Sequence, residues 1–168
     1  RALSPPPRGR FLLDLLTTSE EADRHNVFDI ALLAGRLLGA THWSAGDPRT
    51  AGLRVGYFGA STGGGAALVA AAEAGSAVGA VVSRGGRPDL AGAWLGRVRA
   101  PVLLLVGGAD PAVLELNRAA ASRINAPCRL VVVPGATHLF EEPGTLDEVA
   151  AQAASFLLAR LGSPGGGP

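Results

Sequence analysis

Short apolar runs alternate with longer helix-forming segments along most of the chain. Residues 11–16, 53–58, 78–82, 102–106 and 129–133 read as strands. Between them, helical spacing predicts helices over residues 27–45, with Asn26 as N-cap, 62–74, 90–95, 112–124 and 145–161. Strands that are apolar throughout, with Val102-Leu103-Leu104-Leu105-Val106 the clearest, suit a mostly parallel sheet covered by helices on both faces. The expectation is therefore a doubly wound α/β domain over residues 11–161. Residues 1–10, rich in proline and arginine, and the glycine-proline stretch 162–168 are expected to be irregular ends.

In such sheets ligands bind outside the carboxyl ends of the strands, so the residues just after each strand matter most. Ser61, in Gly59-Ala60-Ser61-Thr62-Gly63, stands between a strand and an alanine-rich helix. With 24 glycines in 168 residues the pentapeptide by itself is a weak signal, but its strand-turn-helix setting is that of a nucleophile lifted onto a sharp turn. Gly59 and Gly63 leave room for the strained turn, and Gly64 and Gly65 would let the helix approach the sheet. Asp110, in Gly107-Gly108-Ala109-Asp110-Pro111, and His138, in Gly135-Ala136-Thr137-His138, each follow a later strand. Chain order and strand-end placement predict Ser61 as nucleophile, His138 as base and Asp110 as its orienting acid. The Thr62 N–H would serve as an oxyanion donor.

Other residues have plainer readings. Asp89 and Asp147 are poorly placed as acids, and His25 and His42 read as ordinary polar residues. Arg84 and Arg87 should lie at the active edge, where they could bind an anionic substrate group or simply pair with Asp89 or Glu141. That segment leaves room for only a short lid, which suits small, soluble substrates. Cys128 opens an apolar run and reads as an inert buried thiol.

Composition narrows the partners. At 168 residues and 48% hydrophobic content, one domain can bury roughly 70% of its unfolded surface. The 15 basic residues, all arginine, are scattered and the net charge is +1, so no nucleic-acid or membrane footprint is expected. Three dispersed histidines and one cysteine show no metal-ligand spacing, and no cofactor is expected. With no apolar run near the roughly 20 residues of a membrane helix, and no signal-peptide stretch, a cytoplasmic protein is expected. The missing initiator methionine points to a piece of something longer. Nothing in the chain speaks to oligomeric state.

The segments Gly-Tyr-Phe-Gly-Ala-Ser-Thr-Gly, Val-Ser-Arg-Gly-Gly-Arg-Pro-Asp-Leu-Ala and Val-Pro-Gly-Ala-Thr-His-Leu-Phe-Glu-Glu-Pro resemble the dienelactone hydrolase-like branch of the α/β-hydrolases. Bacterial members of that branch are sometimes fused to a phosphoribosyltransferase domain, of which this chain shows no signature. The resemblance runs from Phe11 to Leu161. It implies Ser61 as nucleophile, where the family's namesake uses cysteine, with Asp110 and His138 on the acid and base positions; it does not imply the natural substrate. In the family a strand, a His-Gly loop and a helix precede the segment matching residues 11–16, and that loop donates the second oxyanion N–H. Nothing here corresponds to them, which suggests truncation or an altered reading frame. The family's third strand, which separates the strands matching 11–16 and 53–58, is also missing. Residues 11–16 are therefore expected either to detach from the sheet or to move beside residues 53–58, and the chain to be impaired. The expected function is hydrolysis of small esters, lactones or thioesters through an acyl-enzyme. The alternative is a catalytically silent α/β domain serving as an interaction or structural module.

Overall fold

Val102–Gly107 (β3) is buried along its whole length, the apolar run leaving no residue suited to solvent. In the computed structural model, which describes residues 9–162, it lies inside a parallel four-stranded sheet. The sheet's order is Val55–Ala60 (β1), Val78–Arg84 (β2), β3 and Cys128–Val133 (β4). Sequential parallel neighbours require a crossover each time, and helices supply them. Thr18–Glu21 (α1), Arg24–Phe28 (α2) and Ile30–Gly46 (α3) precede β1, Thr62–Ala74 (α4) follows it, Pro111–Ala121 (α5) joins β3 to β4, and Thr145–Leu161 (α6) ends the fold.

Alternation along β3 divides the core. Val102 and Leu104 pack with α3, α4 and α5, whereas Leu103 and Leu105 pack with Val149 and Ala153 of α6. Glycines let α6 cross the base of the sheet, because a Cβ on Gly56 would stand 2.7 Å from Leu161 Cδ1. No helix among the described residues is long and apolar enough to cross a membrane.

Residues 11–16 do not form the expected strand. They are detached from the sheet and run beside α3: Arg36 Nη1 donates to Leu15 O at 2.6 Å, Phe11 sets its ring edge-on to Trp43, and Leu16 enters the core. Among the described residues β1 pairs on one side alone, so its other edge is open to a strand, yet the contacts of residues 11–16 are with α3 instead. Tyr57 ties that edge strand down, its buried hydroxyl 2.7 Å from Thr41 Oγ1 of α3.

The helix expected from residue 27 begins at Ile30, and Asp29 rather than Asn26 caps it, accepting from Leu32 N at 2.9 Å. Asn26 belongs to α2, where its amide donates to Glu20 O. The helix expected over residues 90–95 is a 3-10 segment, Pro88–Arg97, broken at Gly92 (φ 52°). The helix expected to reach residue 124 stops at Ala121. Residues 1–8 and 163–168, on which most of the expectation of irregular ends falls, lie outside the described residues; Gly9, Arg10 and Gly162 are in no regular element.

Candidate active site

β1 ends at Ala60, and Ser61 turns the chain into α4 with φ 50° and ψ −124°. A serine at positive φ is strained, costing roughly 1–3 kcal/mol, so its surroundings must hold it there. Ser61 N donates to Arg84 O at 3.2 Å, and Ser61 O accepts from both Gly64 N and Arg87 N at 3.0 Å. The turn is tight where Gly59 passes it: a Cβ there would overlap Gly63 O and stand 2.8 Å from Gly64 N. Gly64 allows the approach to the sheet expected of it, since a Cβ there would overlap Ser83 Oγ of β2; a Cβ on Gly65 would instead stand 2.7 Å from Arg87 O, in the segment after β2. Gly63 differs from expectation, because a Cβ there meets nothing within 4 Å. Thr62 opens α4, and its N–H is one of the first four that have no acceptor within the helix.

The turn after β3 is built against the loop after β4. A Cβ on Gly107 would overlap Ala136 O, Ala109 N donates to Ala136 O at 2.9 Å, and Gly108 N to Val133 O at 2.8 Å. Those contacts carry Asp110 to His138. Asp110 caps α5, one carboxylate oxygen accepting from Val113 N at 3.4 Å and the other lying 2.8 Å from His138 Nδ1. An ionised carboxylate only accepts, so the proton of a neutral imidazole sits on Nδ1, leaving Nε2 as an acceptor. The Asp110 side chain is 17% exposed and that of His138 41%, which shields the acid while leaving the imidazole open to a substrate. The loop is held from below by Phe140, fully buried at φ 58°, whose carbonyl accepts from Thr145 Oγ1 at 2.9 Å. It is held at the side by Glu142, which accepts from Thr137 N at 3.0 Å; hydrogen bonds from Thr137 keep the Glu142 carboxyl below its usual range.

Asp110 and His138 are thus brought together, and Ser61 stands on the turn expected of it. Ser61 Oγ makes no hydrogen bond to the His138 ring among the described residues. What joins the two is the segment after β2: Gly85 (φ 50°) packs under His138, and Arg87 N reaches Ser61 O. Arg87 directs its guanidinium to Asp89, at 2.9 and 2.7 Å, the plainer of its two readings. Arg84 forms no such pair among the described residues: its guanidinium lies 5.6 Å from the centre of the Phe140 ring, and its Nε is buried without a partner. Cys128 is half-buried, and burial raises its thiol pKa. No group of three or more His, Cys, Asp or Glu among the described residues is gathered to hold a metal ion. Sequence reasoning missed Asn117, wholly buried on α5 and bonded to Gly86 O. Its signal was a polar residue three positions from both Leu114 and Ala120, on the face of α5 turned to the core.

The sequence profile of the dienelactone hydrolase family matches residues 23–161. Two curated relatives, from Mycobacterium tuberculosis strains CDC 1551 / Oshkosh and ATCC 25618 / H37Rv, are provisionally named phosphoribosyl transferases. They are 63% identical over 154 residues, which is 92% of this chain and 35% of theirs. The chain therefore spans about a third of the length of the curated relatives it matches. The crystal structure of a dienelactone hydrolase from Anabaena variabilis ATCC 29413 is 56% identical, with a TM-score of 0.85 over 88% of this chain and 70% of that one. A monoacylglycerol lipase from Paleococcus ferrophilus, 16% identical with a TM-score of 0.64 over 78% of this chain and 76% of that one, shares the fold.

Proposed function

The chain belongs to the dienelactone hydrolase family and carries its α/β fold, and from that premise we propose that it is a serine hydrolase of small esters, lactones or thioesters, acting in the cytoplasm through an acyl-enzyme. Ser61 Oγ attacks the carbonyl carbon while its proton passes to His138 Nε2. The carbonyl electron pair moves to oxygen, and the Thr62 N–H at the start of α4 donates a hydrogen bond to the oxyanion that forms. Collapse of the tetrahedral species breaks the bond to the leaving oxygen or sulfur, which takes the proton from Nε2. Water then repeats the sequence on the acyl-enzyme, releasing the acid and restoring Ser61. Asp110 holds the Nδ1 proton in place and stabilises the imidazolium in both halves.

The observation that carries this reading is the 2.8 Å Asp110–His138 contact in a fold that also holds Ser61 at φ 50° on the turn after β1. Hydrogen bonds between nucleophile and base are often long in free enzymes and tighten with substrate. Arg84, not engaged by a carboxylate among the described residues, is proposed to receive an anionic substrate group; Arg87, already on Asp89, contributes less. The Thr62 N–H is the oxyanion donor this reading names, and one such donor is typically worth roughly a hundred- to a thousand-fold in kcat. The phosphoribosyl transferase activity in the relatives' names belongs to those longer proteins.

The lack of a Ser61–His138 hydrogen bond among the described residues favours one competing reading, a silent domain that serves as a packing or interaction module. Treating the chain and its Ser61→Ala variant with a serine-directed fluorophosphonate separates the two. The reading expects labelling at Ser61, lost in the variant, together with turnover of at least one activated ester. An unlabelled wild type, or a label retained on another residue, overturns it.

A further inference from the structure

Asn117 is fully buried, and its amide nitrogen donates twice: to Val113 O, one turn back on α5, at 2.8 Å, and to Gly86 O, 31 residues away in sequence, at 3.0 Å. The orientation of the amide is fixed by chemistry, because the opposite one would set its oxygen against two carbonyls. The consequence is that Asn117 Oδ1 is left buried without a partner. An orphaned buried acceptor is destabilising, and an apolar side chain would avoid it. The group on the other end of the amide is therefore what distinguishes this position.

Gly86 is the middle of a tripeptide that reaches both the nucleophile turn and the histidine loop. Gly85 packs under His138, a Cβ there coming 3.6 Å from Cε1. Arg87 N holds Ser61 O at 3.0 Å. Asn117 itself stands about two turns along α5 from Asp110, the residue that caps that helix and orients His138. The tripeptide has no regular secondary structure of its own, and a Cβ on Gly86 would overlap Ser83 Oγ, so the segment is pressed against β2 from one side. Asn117 holds it from the other.

We propose that Asn117 is a positioning residue: by fixing Gly86, it locks the acid-bearing helix to the segment that braces both the nucleophile turn and the histidine loop. It sets the separation of Ser61 Oγ and His138 Nε2, and so the rate of proton transfer from serine to histidine. It touches no substrate. The inference rests on Ser61 and His138 acting as nucleophile and base.

The test is the rate at which fluorophosphonate modifies the full chain, resolved into kinact and KI. In this reaction Ser61 Oγ forms a bond to phosphorus, fluoride leaves, and His138 takes the serine proton. Asn117→Ala removes both donors. Asn117→Thr keeps a hydroxyl able to donate to Val113 O while losing the reach to Gly86 O, so it isolates the cross-chain bond and spares the helix. Asn125→Ala is a control for the loss of a cross-chain amide bond, since Asn125, though exposed, also ties a loop carbonyl, Gly96 O at 2.9 Å, away from the site. Displacements near 1 Å cost up to about a hundred-fold in rate, so kinact is expected to fall roughly ten- to a hundred-fold in both Asn117 variants. KI should stay within about twofold, and Asn125→Ala should leave both constants unchanged. Unchanged kinact in a folded Asn117→Thr overturns the inference while Ser61 labelling still supports the hydrolase reading. Loss of signal through a smaller labelled fraction, at unchanged kinact, also overturns it and makes Asn117 a folding residue. No labelling of the wild type at Ser61 overturns the hydrolase reading and this inference together.

Discussion

Gly85 lies directly against His138: a Cβ built on it would stand 3.3 Å from His138 O and 3.4 Å from Phe140 Cε2. Gly85 is also held at φ 50°, where a side chain is strained, and its N–H donates to Leu105 O at 2.7 Å. Gly85→Ala should therefore destabilise the fold by about 1–2 kcal/mol through backbone strain and slow Ser61 labelling by displacing the histidine loop. Urea unfolding checks the first effect and labelling rate the second. An unchanged urea midpoint would contradict the left-handed conformation.

The two glycines flanking the Ser61 turn should respond with opposite signs. Gly59→Ala forces a Cβ into Gly63 O and should leave little soluble, labelled protein. Gly63→Ala places a methyl in open space within α4 and should be neutral or stabilising by up to about 1 kcal/mol, because alanine is the better helix former. Thermal unfolding of the two variants side by side decides it, and equal losses would refute the difference.

Acid should loosen the histidine loop through Glu142. Its folded pKa is depressed by hydrogen bonds from Thr137, so the carboxylate's contribution is complete above the unfolded value, roughly 4.3, and is lost as pH falls through the lower folded value. Glu142→Gln should be less stable than wild type at neutral pH, and the two stability profiles should converge as pH falls through the depressed folded value. Profiles that stay parallel into acid would show that the carboxylate's charge adds nothing.

Arg84→Ala tests the proposed anion site. Its loss removes a buried Nε without a partner and a stacking contact on Phe140, effects of order 1 kcal/mol that oppose each other, so stability should change little. KM for carboxylate-bearing esters should rise about tenfold against no more than about twofold for neutral esters of the same length. The same change in both series would leave Arg84 as a structural cation on the Phe140 ring.

The parallel strands and the order of the site residues were legible because both are local properties. Continuous apolar runs mark strands covered on both faces, and Gly-x-Ser-x-Gly, Asp and His each follow such a run. The failures were local too. Residues 11–16 have a strand's composition, but Arg36 and Trp43 of α3 engage the segment from outside it, which no residue in the segment itself reports. Asn26 and Asp29 are both acceptable caps by type; the turn of α2 decided between them by placing Asp29 at the start of α3. Gly59 and Gly63 look equivalent in the pentapeptide, yet only Gly59 faces the backbone of the turn.

What the sequence determined by itself was the order of elements and the type of side chain delivered to each strand end, since periodicity and turn chemistry are written within a few residues. Only the tertiary structure decided which of those ends meet. Asp110 reaches His138 because Gly107 and Ala109 abut Ala136, and Gly86 is held to α5 because Asn117 lies buried beneath it. These contacts join residues up to 31 apart in the chain, and their geometry comes from packing β2, β3 and β4 side by side. The backbone of one strand end becomes the wall of the next, so the distances of the site are set by close packing and not by any residue's own preference.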